Sequence, residues 1–119
     1  MQHLLAIRHL EAKQIAEILD RSAEYKETIL GGGSLDRSNR RSVGLLFFEN
    51  STRTRVSFEQ AAHYLGFNVV NFSGAGSSMS KGETLKDTIL TLKHERLDAL
   101  VMRHKASGSP MLAAEYFGG

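Results

Sequence analysis

The sequence predicts an α/β protein of the doubly wound class, a parallel sheet with helices on both faces, and three observations carry that expectation. Three short runs rich in apolar, β-branched or aromatic residues, Val43 to Phe48, Asn68 to Phe72 and Ala99 to Met102, have the length and composition of strands. Segments with three-and-four apolar spacing flank them, giving the order helix, strand, helix, strand, helix, strand, helix. Glycines punctuate the pattern, with Gly31 to Gly33 and Gly66 placed after helical stretches where a left-handed residue is needed. Strands separated by helices take crossover connections, so the sheet is expected to be parallel.

Each element has its own signal. Glu11 to Leu30 places Ile15, Ile18, Leu19, Ser22 and Ile29 at helical spacing, with charges between them. Ser34 to Ser42 is a polar loop, and Val43 to Phe48 is a continuous apolar run, the mark of a strand buried on both sides. Arg53 to Leu65 is expected to be helical, with Val56, Phe58, Ala61, Ala62 and Leu65 facing inward. After the second strand come a loop of small residues, Ser73 to Ser80, and a helix from Gly82 to Arg96 spaced by Leu85, Ile89 and Leu92. Pro110 suits the first position of a last helix, because its missing N–H would be unpaired there in any case.

Composition sets the outer limits. The chain has 119 residues, 41% of them hydrophobic, which fits one domain (1–119) with one modest core. Its longest apolar run is too short to cross a bilayer, so no membrane role is expected. The absence of cysteine excludes disulfides, thiol chemistry and thiolate metal sites. Met1-Gln2-His3-Leu4-Leu5 lacks the basic and apolar pattern of a secretory signal, and a cytoplasmic location is expected. Fifteen basic against thirteen acidic residues leave a formal charge of +2, too small by itself to imply nucleic acid.

In open α/β sheets ligands bind beyond the carboxyl ends of the strands. Here all three ends suit an anion. The first runs Ser51-Thr52-Arg53-Thr54-Arg55 straight into a helix, combining hydroxyl donors and an arginine fork with the partial positive charge of a helix N-terminus. Arg53 and Arg55, two apart, point in different directions on a helix and do not share one task. The plainer alternative is a helix cap with solvated arginines. The second end, Ser73 to Lys81, departs from both the P-loop and the dinucleotide fingerprint, because Met79 stands where each needs glycine. It offers Lys81, against the bland reading of a surface loop. The third offers Arg103, which beside Ser51 to Thr54 becomes a second clamp, and His104, either a ligand donor or a structural residue. His3, His9, His63 and His94 lack metal-ligand spacing, and Glu49, Glu59 and Glu83 show no paired-carboxylate arrangement. No nucleophile–base set is visible, and neither a metal nor an organic cofactor is expected.

Phe47-Phe48-Glu49-Asn50-Ser51-Thr52-Arg53-Thr54-Arg55-Val56-Ser57-Phe58-Glu59 resembles the carbamoyl-phosphate signature of the aspartate and ornithine carbamoyltransferases. Ser77 to Thr88, with Lys81-Gly82-Glu83-Thr84 at its centre, and Val101-Met102-Arg103-His104 are similar to the aspartate branch. The resemblance runs from about His3 to the last residue; Asn50 stands where many members have proline. It implies an incomplete carbamoyl-phosphate-binding domain of a two-domain enzyme, lacking the aspartate-binding domain and inactive alone. The implied reaction moves a carbamoyl group from carbamoyl phosphate to L-aspartate, giving N-carbamoyl-L-aspartate and phosphate in pyrimidine biosynthesis. Ser51, Thr52, Arg53 and Thr54 are then expected to bind the phosphate, with Arg53 stabilising charge as it leaves. Thr54 and Arg103 would reach the carbonyl oxygen. Ser77 and Lys81 would enter a neighbouring subunit's site, which implies a homotrimer with shared sites and makes Arg53 and Lys81 the catalytic candidates. An ornithine-type enzyme and a non-catalytic phosphate-binding or assembly module are the alternatives.

Overall fold

The computed structural model describes residues 2–49, 51–73, 85–105 and 108–118. The chain divides into two compact units, Met1–Asp36 and Arg37–Gly119. The first holds a short 3-10 turn, Ile7–His9, and the 19-residue helix α1, Ala12–Leu30. The Gln14 side chain accepts a hydrogen bond from the Glu11 N–H at the start of α1, and Gly32, at φ +81°, ends it. None of the residues of α1 is buried, and Ile18, Leu19 and Leu30 stand exposed on it.

The second unit is built as β1 (Ser42–Phe47), α2 (Thr52–Tyr64), β2 (Asn68–Ser73), α3 (Leu85–His94), β3 (Ala99–Arg103) and α4 (Ser109–Phe117). The strands form a parallel sheet in the order β2-β1-β3, with Ser42 opposite Asn68 and Val43 opposite Ala99. Central β1 is therefore paired on both edges and covered on both faces, as its unbroken apolar run requires. Val43, Leu45 and Phe47 point to one side and pack with Ala62 of α2. Leu46 points to the other, where Ile89 and Leu92 of α3, Leu97 and Ala113 of α4 enclose it. Leu45, Leu46 and Ile89 are fully buried, each worth roughly 1.5–3 kcal/mol of apolar transfer. The doubly wound α/β class expected from the alternation is the architecture observed. Among the described residues, no helix is long and apolar enough to cross a membrane.

Two expectations about helices are corrected. Val56 and Phe58 of α2 are exposed, and of the five apolar residues expected to face inward only Ala62 is buried. The inward positions nearer the start of α2 are polar, because Arg55 and Glu59 turn toward Asn71 of β2. The third helix ends at His94, not Arg96. Arg96 instead takes φ +66° in a turn closed by Arg96 N–H to Lys93 O and Leu97 N–H to Leu92 O, a Schellman end with arginine where glycine is usual. The equivalent turn after α2 uses Gly66 at φ +81°, with Phe67 N–H bonded to Ala62 O. There a Cβ would lie 2.7 Å from the Arg37 carbonyl oxygen, so glycine is required for space as well as for conformation.

Candidate functional site

The strand order decides where a ligand can enter. From β1 the chain crosses through α2 to β2 on one side, then through α3 to β3 on the other, so the direction of winding reverses at β1. At such a switch point the connections part and leave a crevice beyond the carboxyl ends of the central strands. Phe47 and Arg103 are register partners at that edge, and the Phe48 N–H bonds to the Arg103 carbonyl at 2.9 Å. The segment leaving β1 is thereby held beside the last residue of β3.

Arg103 organises the crevice. Its Nη1 donates to Ser51 Oγ at 2.7 Å and to Thr54 Oγ1 at 3.3 Å, and its Nε donates to Glu49 Oε1 at 2.8 Å. Residues from the first and third strand ends, expected to converge, thus do so through one guanidinium. The ion pair with Glu49 is partly exposed, with side-chain exposures of 48% and 31%. It orients the arginine more than it stabilises the fold, since pairs of this kind are worth about 0–1 kcal/mol.

Ser51 is the residue before α2, in the cap position, yet no side-chain hydrogen bond caps that helix. Its hydroxyl accepts from Arg103 instead. The alternative of a simple cap is therefore not what the geometry provides. The first N–H groups of α2 keep the partial positive charge that an anion satisfies, with Arg103 fixed alongside. No acidic residue occupies the first turn of α2, and the nearby Glu49 carboxylate is paired with Arg103.

The remaining expected residues have distinct surroundings. Thr52 lies in the first turn of α2 and lines a cleft of about 290 Å³ with Glu49, Ser51, Arg55, Asn71 and the rings of Phe47 and Phe72, small for a ligand pocket. Arg53 is exposed on the same turn, and no hydrogen bond or ion pair among the described residues holds its guanidinium. Arg55 is held elsewhere, by Glu59 at 3.1 Å and by Asn71, so the two arginines do have separate settings. His104 has a structural setting: its Nδ1 is 3.1 Å from Ser109 Oγ, and its ring lies 4.9 Å from that of Phe48. Ser77 and Lys81 lie outside the described residues, as does Asn50.

Glu49 and Glu59, for which the sequence shows no paired-carboxylate arrangement, each hold an arginine. For Glu49 the available signal is its place two residues beyond the end of β1, level with a strand-end arginine. For Asn71 the signal is weaker, a polar residue inside an apolar strand. Among the described residues no three histidine, aspartate or glutamate side chains come together as a metal site.

Residues 2–117 match the family described as aspartate/ornithine carbamoyltransferase, carbamoyl-P binding domain. The chain belongs to that family. It is 43% identical over 120 residues to the aspartate carbamoyltransferase catalytic subunit of Rhodococcus erythropolis, covering 99% of this chain and 38% of that one. Its fold is similar to the catalytic subunit of M. jannaschii aspartate transcarbamoylase, with a TM-score of 0.89 and 35% identity over 99% of this chain and 40% of that chain. Aspartate transcarbamoylase from Trypanosoma cruzi in complex with carbamoyl phosphate aligns with a TM-score of 0.88 and 34% identity, over 98% of this chain and 36% of that one. The chain thus spans about two fifths of the length of the relatives it matches.

Proposed function

We propose that residues 1–119 form a carbamoyl-phosphate-binding domain that serves the transfer of a carbamoyl group to the amino group of L-aspartate. The reading rests first on one observation, the Arg103 guanidinium joining Ser51 and Thr54 beside the uncapped start of α2. When an amine attacks the carbonyl carbon, a C–N bond forms, the C–O bond to phosphate breaks, and the departing phosphate takes up the proton the amine loses. Negative charge grows on the carbonyl oxygen and on the phosphate along the way. Fixed cations and N–H groups aimed at those oxygens stabilise both without reorganising during the reaction. On this reading Ser51, Thr52, Arg53 and Thr54 take the phosphate. Thr54 and Arg103 also reach the carbonyl oxygen, and Arg53, exposed on the first turn of α2, stabilises charge on the leaving phosphate.

Ser77 and Lys81 complete the set from a neighbouring copy, in a homotrimer with shared sites located in the cytoplasm. Aspartate, not ornithine, is the acceptor proposed, because Lys81-Gly82-Glu83-Thr84 resembles the aspartate branch and the Rhodococcus and M. jannaschii relatives are aspartate enzymes. The products are N-carbamoyl-L-aspartate and phosphate, in pyrimidine biosynthesis. No residue of the chain is assigned to the acceptor amino acid, so the chain by itself is proposed to bind carbamoyl phosphate without turning it over.

Calorimetric titration of the 119-residue protein with carbamoyl phosphate tests this. Binding is expected, with a loss of roughly tenfold to a hundredfold in Arg53→Ala, the range of a charge-assisted hydrogen bond. No heat with carbamoyl phosphate or inorganic phosphate would remove the reading. Steady-state turnover by the chain alone would remove the part that denies it activity.

A further inference from the structure

The first turns of α2 are poorly arranged for helix stability. Arg53 and Arg55 sit where the helix dipole disfavours cations, by about 0.3–1 kcal/mol each at the surface. The Arg55–Glu59 pair runs cation first, the weaker orientation for residues four apart. Both partners are about a third exposed, at 36% and 31%, so the pair adds little stability of its own. Helix formation therefore does not explain why these residues stand together.

Their contacts beyond the helix do. Glu59 Oε1 accepts from Arg55 Nη1 at 3.1 Å and from Asn71 Nδ2 at 2.6 Å, while Arg55 Nη1 lies 3.4 Å from Asn71 Oδ1. Three side chains from α2 and β2 close a ring of contacts. Arg55 and Asn71 line the cleft shared with Glu49, Ser51 and Thr52, and Glu59, bonded to both, is not part of that lining. A guanidinium already fixed on a cleft wall loses little conformational freedom when an anion arrives, whereas an unrestrained one must be ordered.

We propose that Glu59 is a positioning residue: together with Asn71 it fixes Arg55 on the wall of the cleft, so that this arginine adds a stationary positive charge to anion binding at Ser51 and Thr52. The inference rests on the proposed anion-binding function and deepens it. It distinguishes Arg55, held by Glu59 and Asn71, from Arg53, whose guanidinium has no such bond among the described residues.

The test is calorimetric titration of the chain with carbamoyl phosphate and, separately, inorganic phosphate. Glu59→Ala is expected to weaken binding roughly fivefold to tenfold, about the effect of one polar interaction. Glu59→Gln, which keeps an acceptor oxygen, stays close to the parent. In an Arg55→Ala background the Glu59→Ala loss disappears, a result that a merely structural role would not produce. Asn71→Ala gives a smaller loss with the same dependence on Arg55 and replaces Glu59→Ala should that variant not fold. Unchanged affinity in Glu59→Ala overturns the proposal. So does tighter binding in both the Ala and the Gln variants, which would show only the loss of a distant negative charge, and so does a loss that persists without Arg55. If the parent binds neither ligand, the functional reading falls and this one with it; if the parent binds and Glu59→Ala matches it, this one falls alone.

Discussion

The two ends of the sheet use similar residues for opposite purposes. At the amino end, polar groups close the backbone. Asp98 accepts from the Ser42 N–H, and its own N–H bonds to the Ser42 carbonyl. Asn39 donates to the Leu65 carbonyl at the end of α2, and Gly66 and Arg96 form the turns that return helices to strands. At the carboxyl end, polar groups bond to one another. Glu49, Ser51 and Thr54 meet on Arg103, and Glu59 and Asn71 meet on Arg55. A carboxylate that satisfies a backbone N–H contributes to the fold, whereas one that orients a guanidinium contributes to a site.

That contrast can be broken by substitution, and the largest effect belongs to the amino end. Gly66→Ala combines left-handed strain with a Cβ pressed onto the Arg37 backbone, and is expected to lower stability by about 2–4 kcal/mol. Urea denaturation measures this, and the protein that remains folded keeps its affinity for carbamoyl phosphate. Arg103→Ala is expected to act in reverse. Affinity falls roughly tenfold to a hundredfold by calorimetry, while stability changes by less than about 1 kcal/mol, because the Glu49 pair is half-exposed. An equal loss of stability in Arg103→Ala would erase the distinction between the two ends. The smallest effect sharpens it: Arg96→Gly relieves a left-handed arginine at the amino end and is expected to raise stability by about 0.5–1 kcal/mol without touching affinity.

Much of the fold is legible in the sequence because periodicity and burial agree. The run expected at Val43 to Phe48 is buried from Val43 to Phe47, on both faces, as its composition demands, and its ends differ by one residue from the observed Ser42–Phe47. Ser51, Thr54 and Arg103 are legible as candidate site residues because ligands in this class bind beyond the strand ends. What is not legible depends on contacts between separate elements. The inward face of α2 departs from its apolar spacing because Arg55 and Glu59, polar by type, point inward to meet Asn71, and only the β1–β2 register brings Asn71 there. The end of α3 comes earlier than its spacing suggests because Arg96, a good helix former by propensity, is forced left-handed by the return to β3.

The central position of β1 also sets an order of events. Its six residues form the most buried of the three described strands, yet they meet β2 only once Asn68 has been made and β3 not before Ala99. During synthesis this apolar segment must wait, one edge unpaired, for β3, and late parallel pairings are slow and leave sticky surface exposed in the meantime. Arg103 is the final residue of β3. The step that covers the second edge of β1 is therefore the same step that delivers the guanidinium to Ser51 and Thr54.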